Sequence, residues 1–302
     1  MKIGLSSYSL NANIRSGKMD VLDAMRFAKE KGAEHFEIVP IGYAFYNAES
    51  GEFNEKMIED VKALSKELDL PLSNLAVGAD LIDEDPSLQD AAIERTCRQV
   101  DVAAKLGIKF MRHDISFRRF DCPALAFEKY LPIAVRAVQK IADYAAGYGI
   151  TTTTENHGFF FNGSDRMIRL VNAVDRPNFG LLLDCGNFIC VDEDPLIAVK
   201  KCAPIAKMVH LKDFYIRRTE LNGRFASLVD AGIGHWFSSG SGEYMLRGSI
   251  VGQGDLDLWS TVAELKKVGY DGYVSIEFAG MENCESGSEI GMLTAKHMLA
   301  TL

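Results

Sequence analysis

The chain has 302 residues, 47% hydrophobic and 25% charged, which is the balance of an ordinary globular protein and excludes a disordered or fibrous one. Its formal net charge of −9 argues against a nucleic-acid partner, because phosphates call for a basic face. No apolar run approaches the ~20 residues of a membrane span, and the N-terminal MKIGLSSYSL does not read as a signal peptide.

A strand-then-helix rhythm runs along the chain. Lys2–Ser7 predicts a first strand, followed by a helix over Asp20–Lys31 that stops at Gly32. Glu34–Val39 is a second strand, and Asn54 caps a helix running to Leu68. Leu72–Val77 is the third; Asp85-Pro86 then opens a helix that reaches Leu106 and ends at Gly107. Lys109–Asp114 is the fourth, with a helical stretch over Ala124–Tyr148 that Pro132 kinks or restarts. Four buried-looking runs complete the set: Ile150–Thr154, Phe179–Leu183, Met208–Val209 and Tyr273–Ile276, with helices near 164–174, 194–203 and 258–268. This alternation predicts a single α/β domain over 1–302, a closed (β/α)8 barrel. The six cysteines show no CxxC pair and are expected to be reduced, in a cytoplasmic protein.

The last four strands each end on a residue able to bind a divalent metal: Glu155, Asp184, His210 and Glu277. The first three lie 29 and 26 residues apart, which places them on successive strands, since one strand–helix unit takes roughly 30 residues. Three carboxylates and an imidazole at the carboxyl rim predict a site for one ion; these ligand types suit Mn, Co, Mg or Zn. Strand alternation puts His157 on the same side as Glu155, as a proton-transfer candidate, and Lys212 on the same side as His210, to hold a substrate oxygen or pair with Asp213. His113 faces oppositely to Arg112 and Asp114; one of these should reach the barrel mouth, and His113 is taken as a substrate contact. Tyr8 and Glu37 end the first two strands and are further candidates for the pocket wall.

Residues 214–256 break the rhythm. They contain HWFSSGSGEYMLRGSIVGQGD, glycine-rich yet carrying Trp236, Phe237, Tyr244 and Arg247, and predict a long loop over the carboxyl face that contacts substrate through Trp236 and Arg247. The glycines at 248, 252 and 254 follow no predicted strand and lack a P-loop lysine, so they make a poor phosphate cradle, and an unphosphorylated substrate is expected.

The motifs TTTTENHG, LLLDCGN, VHLKD, RGSIVGQGDLD and YVSIEF resemble those of the xylose isomerase-like TIM barrels, a superfamily of sugar isomerases and epimerases, keto-inositol dehydratases and the endonuclease IV branch. The resemblance implies that Glu155, Asp184, His210 and Glu277 bind one ion, manganese foremost, and that Arg247 touches substrate. It also implies assembly as a dimer or tetramer. On a small keto or aldo sugar, Glu155 and Glu277 would each give one oxygen to the metal and keep the other to take and return a proton through an enediolate. The pattern departs from the ketose epimerases at Asn187 and Lys212, where they often carry histidines. Asn187 can still orient a substrate hydroxyl. The departure makes a C–O lyase acting on a keto-inositol or 3-keto-glycoside the alternative to an isomerase or epimerase. An endonuclease IV-like repair enzyme needs more histidines and a basic face, and a non-catalytic barrel subunit is the remaining alternative.

Overall fold

The computed structural model describes residues 1–121, 123–219, 227 and 231–302; Cys122 and positions 220–226 and 228–230 of the predicted 214–256 loop lie outside the described residues. Its strands are β1 (Lys2–Ser6), β2 (Phe36–Ile38), β3 (Leu72–Val77), β4 (Phe110–His113), β5 (Thr151–Glu155), β6 (Phe179–Asp184), β7 (Ala206–Leu211), β8 (Asp213–Arg218), β9 (Phe237–Ser238), β10 (Tyr244–Ser249) and β11 (Tyr273–Ile276). The first seven and β11 close a barrel in the order β1-β11-β7-β6-β5-β4-β3-β2, each pair parallel. Buried on both faces, these strands read as continuous apolar or threonine runs rather than as alternating ones.

The helices start and stop where side-chain chemistry directs. A short α1 (Asn11–Arg15) precedes α2 (Val21–Glu30), which Asp20 and Asp23 close with a reciprocal capping box. Asn54 caps α3 (Glu55–Glu67), and Asp85 caps α4 (Pro86–Leu106), which stops on a left-handed Gly107. The α5 helix (Pro123–Ala146) runs through Pro132 without restarting. Then follow α6 (Ser164–Val174), α7 (Pro195–Cys202) and α8 (Leu258–Lys267). The last described helix, α9 (Cys284–Thr301), was not legible in the sequence. Its Gly287 and Gly291 weaken the helical signal, but they let the helix lie close: a Cβ would stand 2.9 Å from the Phe278 ring and 3.0 Å from Ile276. The five described cysteines are free, and among the described residues no helix is long and apolar enough to cross a membrane.

The 214–256 segment departs from expectation. Among its described residues β8, β10 and β9 form an antiparallel sheet in that order, where an irregular loop was expected. Phe214 and Leu246 pack with Ile189 and Cys190, just past β6, into a small separate core, and Gly248 bridges to Gly280 just past β11. The sheet therefore sits on the carboxyl rim. Its strands were hidden because they are short and mix arginine, glycine and serine with their few apolar residues. The glycines that follow β10 serve the chain itself: Gly252 and Gly254 N–H donate to the Asp213 carboxylate at 2.9 and 2.8 Å. Phe214 and Leu256 N–H donate to the same carboxylate. The cradle is filled by an internal anion.

Candidate active site

Glu155, Asp184, His210 and Glu277 stand at the carboxyl ends of β5, β6, β7 and β11, all buried, and each offers one ligand atom within 4.8 Å of the others. This is the only such group among the described residues. Register explains the convergence, since Asp184 pairs with His210 across β6 and β7, and Ile276 with Leu211 across β11 and β7.

The backbone holds each member in place. Asp184 Oδ1 accepts from Gly186 N–H at 2.7 Å and Asn187 N–H at 2.9 Å. Its Oδ2 is buried and has no partner. The Asn156 side chain clamps the Asp184 backbone from both sides, accepting from its N–H and donating to its carbonyl, each at 2.9 Å. Gly186 is required at the turn because a Cβ there would lie 2.9 Å from the Lys212 carbonyl oxygen.

His210 has two different nitrogens. Nε2 lies 2.9 Å from Glu37, whose same oxygen accepts from Asn74 at 3.1 Å. Nδ1 faces the cluster, 2.6 Å from Glu277 Oε2 and 3.8 Å from Glu155 Oε1, yet it makes no hydrogen bond. With Nε2–H donated to Glu37, Nδ1 presents a lone pair, the arrangement of an imidazole that ligates a metal. Two orphaned acceptors, Asp184 Oδ2 and His210 Nδ1, thus point at one another's neighbourhood amid carboxylates. The residues fit a divalent cation.

Electrostatics support the fit. Burial, with the Glu277 and Glu155 charges adding to it, raises Asp184 to about 7 against the opposing pull of Lys212. Burial lowers the His210 imidazole, but Glu37, Glu155 and Glu277 outweigh it and push the ring well above its ordinary value. Burial would raise Glu155 and Glu277, but Arg112 holds the first well below the carboxylate range and Lys212 holds the second at about 2. Burial and crowded carboxylates thus favour a proton on Asp184 and on His210, and a divalent cation bound among them would displace those protons.

The outer oxygens of both glutamates are occupied. Arg112 Nη2 pairs with Glu155 Oε2, and Asn187 donates to Glu155 Oε1 at 3.0 Å. Lys212 Nζ reaches Glu277 Oε1 at 3.2 Å. Arg112 also holds Asp114 at 3.1 Å and approaches His157 Nδ1 at 3.3 Å. His157 Nδ1 lies 3.2 Å from Asp114 Oδ1; burial lowers this imidazole, and Asp114 and Glu155 outweigh burial to raise it. A cavity of about 420 Å³ opens over the cluster, with Tyr8, Glu37, Arg112, Asp114 and His157 in its wall.

Several predicted residues fall elsewhere. His113 is wholly buried, its ring stacked on Phe179 and its Nδ1 on the Asp114 carbonyl, so Arg112 and Asp114 face the cavity in its place. Arg247 lies over the Tyr215 and Trp236 rings at 4.9 and 5.3 Å on the outer sheet, and neither Arg247 nor Trp236 lines the cavity. Lys212 pairs with Glu277 and not with Asp213, which turns to the glycine loop. Residues that sequence reasoning missed are Asn74 and Asn156; Asn156 stands beside Glu155 in TTTTENHG, and that adjacency is its only signal.

Comparison with known proteins bears on the fold. A family model described as xylose isomerase-like TIM barrel matches residues 25–296. No curated protein matches the chain. Among solved structures, a D-allulose 3-epimerase from Methylomonas sp. is similar at 17% identity and TM-score 0.71, covering 99% of this chain and 98% of that one. The probable 3-DHS dehydratase AsbF from Bacillus anthracis is similar at 18% and 0.72, covering 98% and 99%. The IOLI protein with a bound zinc atom is similar at 17% and 0.69, covering 100% and 97%.

Proposed function

Because the chain belongs to the xylose isomerase-like TIM barrel family, we propose that its rim site binds one divalent ion and enolises a small hydroxylated ketone of carbohydrate type. Glu155, Asp184, His210 and Glu277 would hold the ion, with manganese the first candidate and cobalt, magnesium or zinc the others. When bound, the ion supplies Lewis-acid polarisation of the ketone and stabilises enolate charge.

The observation that carries the choice of reaction is that the outer oxygens of Glu155 and Glu277 are each engaged by a cation. Two glutamates so held are poor exchangers of protons. His157 is better placed: with Nδ1 oriented by Asp114, its Nε2 is left to take the proton α to the carbonyl. Lys212, buried beside Glu277, carries a proton that can pass to a departing hydroxyl. The C–H pair forms the new C=C, the C–O bond breaks with its electrons on oxygen, and Lys212 protonates that oxygen to release water or an alcohol. This favours a C–O lyase acting on a keto-inositol or 3-keto-glycoside. An isomerase or epimerase is the second reading, supported by Glu155 and Glu277 both sending a carboxylate oxygen into the one cluster.

The test is proton NMR in deuterated water with manganese-loaded protein and a panel of ketoses, keto-inositols and 3-keto-glycosides. Exchange of a carbon-bound hydrogen with appearance of an alkene supports the lyase. Exchange with inverted or shifted configuration supports the isomerase. Exchange that persists in Asp184→Ala, after elemental analysis shows the ion lost, would sink the proposed site.

A further inference from the structure

We propose that Arg15 recognises an anionic group on the substrate, so that the keto-inositol, 3-keto-glycoside or ketose turned over at this site also carries a carboxylate or a phosphate ester; this rests on the rim cavity being the substrate site. Arg15 lies in the wall of the 420 Å³ cavity that exposes His210 and Glu277. A volume of that size is ordinary for a small-molecule site, typically ~300–1,000 Å³.

The other charged groups of that wall are committed. Glu37 takes His210 and Asn74. Arg112 holds Asp114 and Glu155, and Asp114 also receives His157. Glu277 has Lys212. Arg15 alone among them has no ion pair and no hydrogen bond within the described residues. Arg15 is exposed at the edge of this cavity, so its guanidinium is open to a bound group.

Its platform is fixed. Ile14 beside it is core, and Asn13 donates to Glu285 at 2.7 Å while accepting from the Lys18 and Met19 N–H groups. Glu285, the acid that anchors this segment, is taken by Asn13 and Lys18. Val39, Pro40 and Ile41 supply apolar lining to the same cavity. A planar fork with five donors, held at the edge of a metal cavity and facing no protein acceptor, matches a carboxylate or phosphate. The ketone end of such a ligand would lie at the ion and its anion at Arg15.

Matched probes separate the sources. We would titrate manganese-loaded protein calorimetrically with D-fructose, D-fructuronate and D-fructose 6-phosphate, which differ only at carbon six, and with the tagatose counterparts. At least one anionic probe should bind about tenfold more tightly than its neutral partner. That preference should fall with added salt, vanish in Arg15→Gln and largely survive in Arg15→Lys. Preference for the uronate identifies a carboxylate, and preference for the ester a phosphate. Equal binding of neutral and anionic probes, no binding of any, or a preference that persists in Arg15→Gln overturns the inference. Failure of the enolisation reading is seen separately, as absent metal or absent hydrogen exchange with the preference intact.

Discussion

Glu37 illustrates how a single side chain sets the character of this site. It is wholly buried on β2, 173 residues before His210, and it receives the Nε2–H of His210 and so fixes which nitrogen faces the cluster. Such a partner of a metal-binding imidazole is worth about 10–100-fold in metal affinity. Glu37→Ala is therefore expected to weaken manganese binding by about that factor while far-ultraviolet circular dichroism stays that of the parent; metal titration checks it, and unchanged affinity would remove Glu37 from the site. Arg112 is the complementary case. Its guanidinium ties β4 to the Glu155 carboxylate and to Asp114, so it belongs to the charge balance of the site as much as any ligand does.

At the scale of elements, the decisive feature is how β7 passes into β8 across one residue, Lys212. The barrel strand ends, Lys212 enters the site, and Asp213 anchors the turn between β10 and α8 through the Gly252, Gly254 and Leu256 N–H groups. A side chain that enters the candidate site and one that holds the scaffold thus stand side by side, at Lys212 and Asp213. Asp213→Ala leaves those part-buried donors without their acceptor, each loss costing at most about 1–3 kcal/mol. We expect a lower unfolding midpoint and faster proteolytic cutting between residues 237 and 256, read by mass spectrometry, while the barrel fragments stay protected. Uniform cutting across the chain would contradict the anchoring role. The insertion also shows why pattern reading failed there: a small sheet whose core needs Ile189 and Cys190 from elsewhere carries too few apolar residues of its own to announce itself.

For the molecule as a whole, buried neutral histidines make stability depend on pH. Burial lowers His35 from 6.5 to about 4 against the pull of nearby carboxylates, and its ring fills the space over Gly4, with Nδ1 on Ser73 Oγ at 2.8 Å. Above pH ~6.5 the ring is neutral in folded and unfolded chains alike. Below it the unfolded chain binds a proton that the fold refuses until about 4. Stability is thus lost as pH falls through that window, by at most about 3 kcal/mol from this residue. Urea midpoints between pH 4 and 7 should fall less steeply in His35→Gln than in the parent; identical slopes would refute the assignment. The sequence by itself determined the eight-fold alternation and the four polar strand-end residues that converge in one cluster, because buried parallel strands need continuous apolar runs and their last residues turn polar where they meet the rim. Helix boundaries were legible for the same local reason, since Asp20, Asn54, Asp85 and Gly107 act within a turn of themselves. Only tertiary structure decided that Arg112 and Asp114, not His113, face the cavity, and that Arg247 and Trp236 stack on each other away from it. It also decided that Glu37 meets a histidine 173 positions away. Those outcomes depend on barrel register and on which side chains meet across it, and neither is written in any one segment.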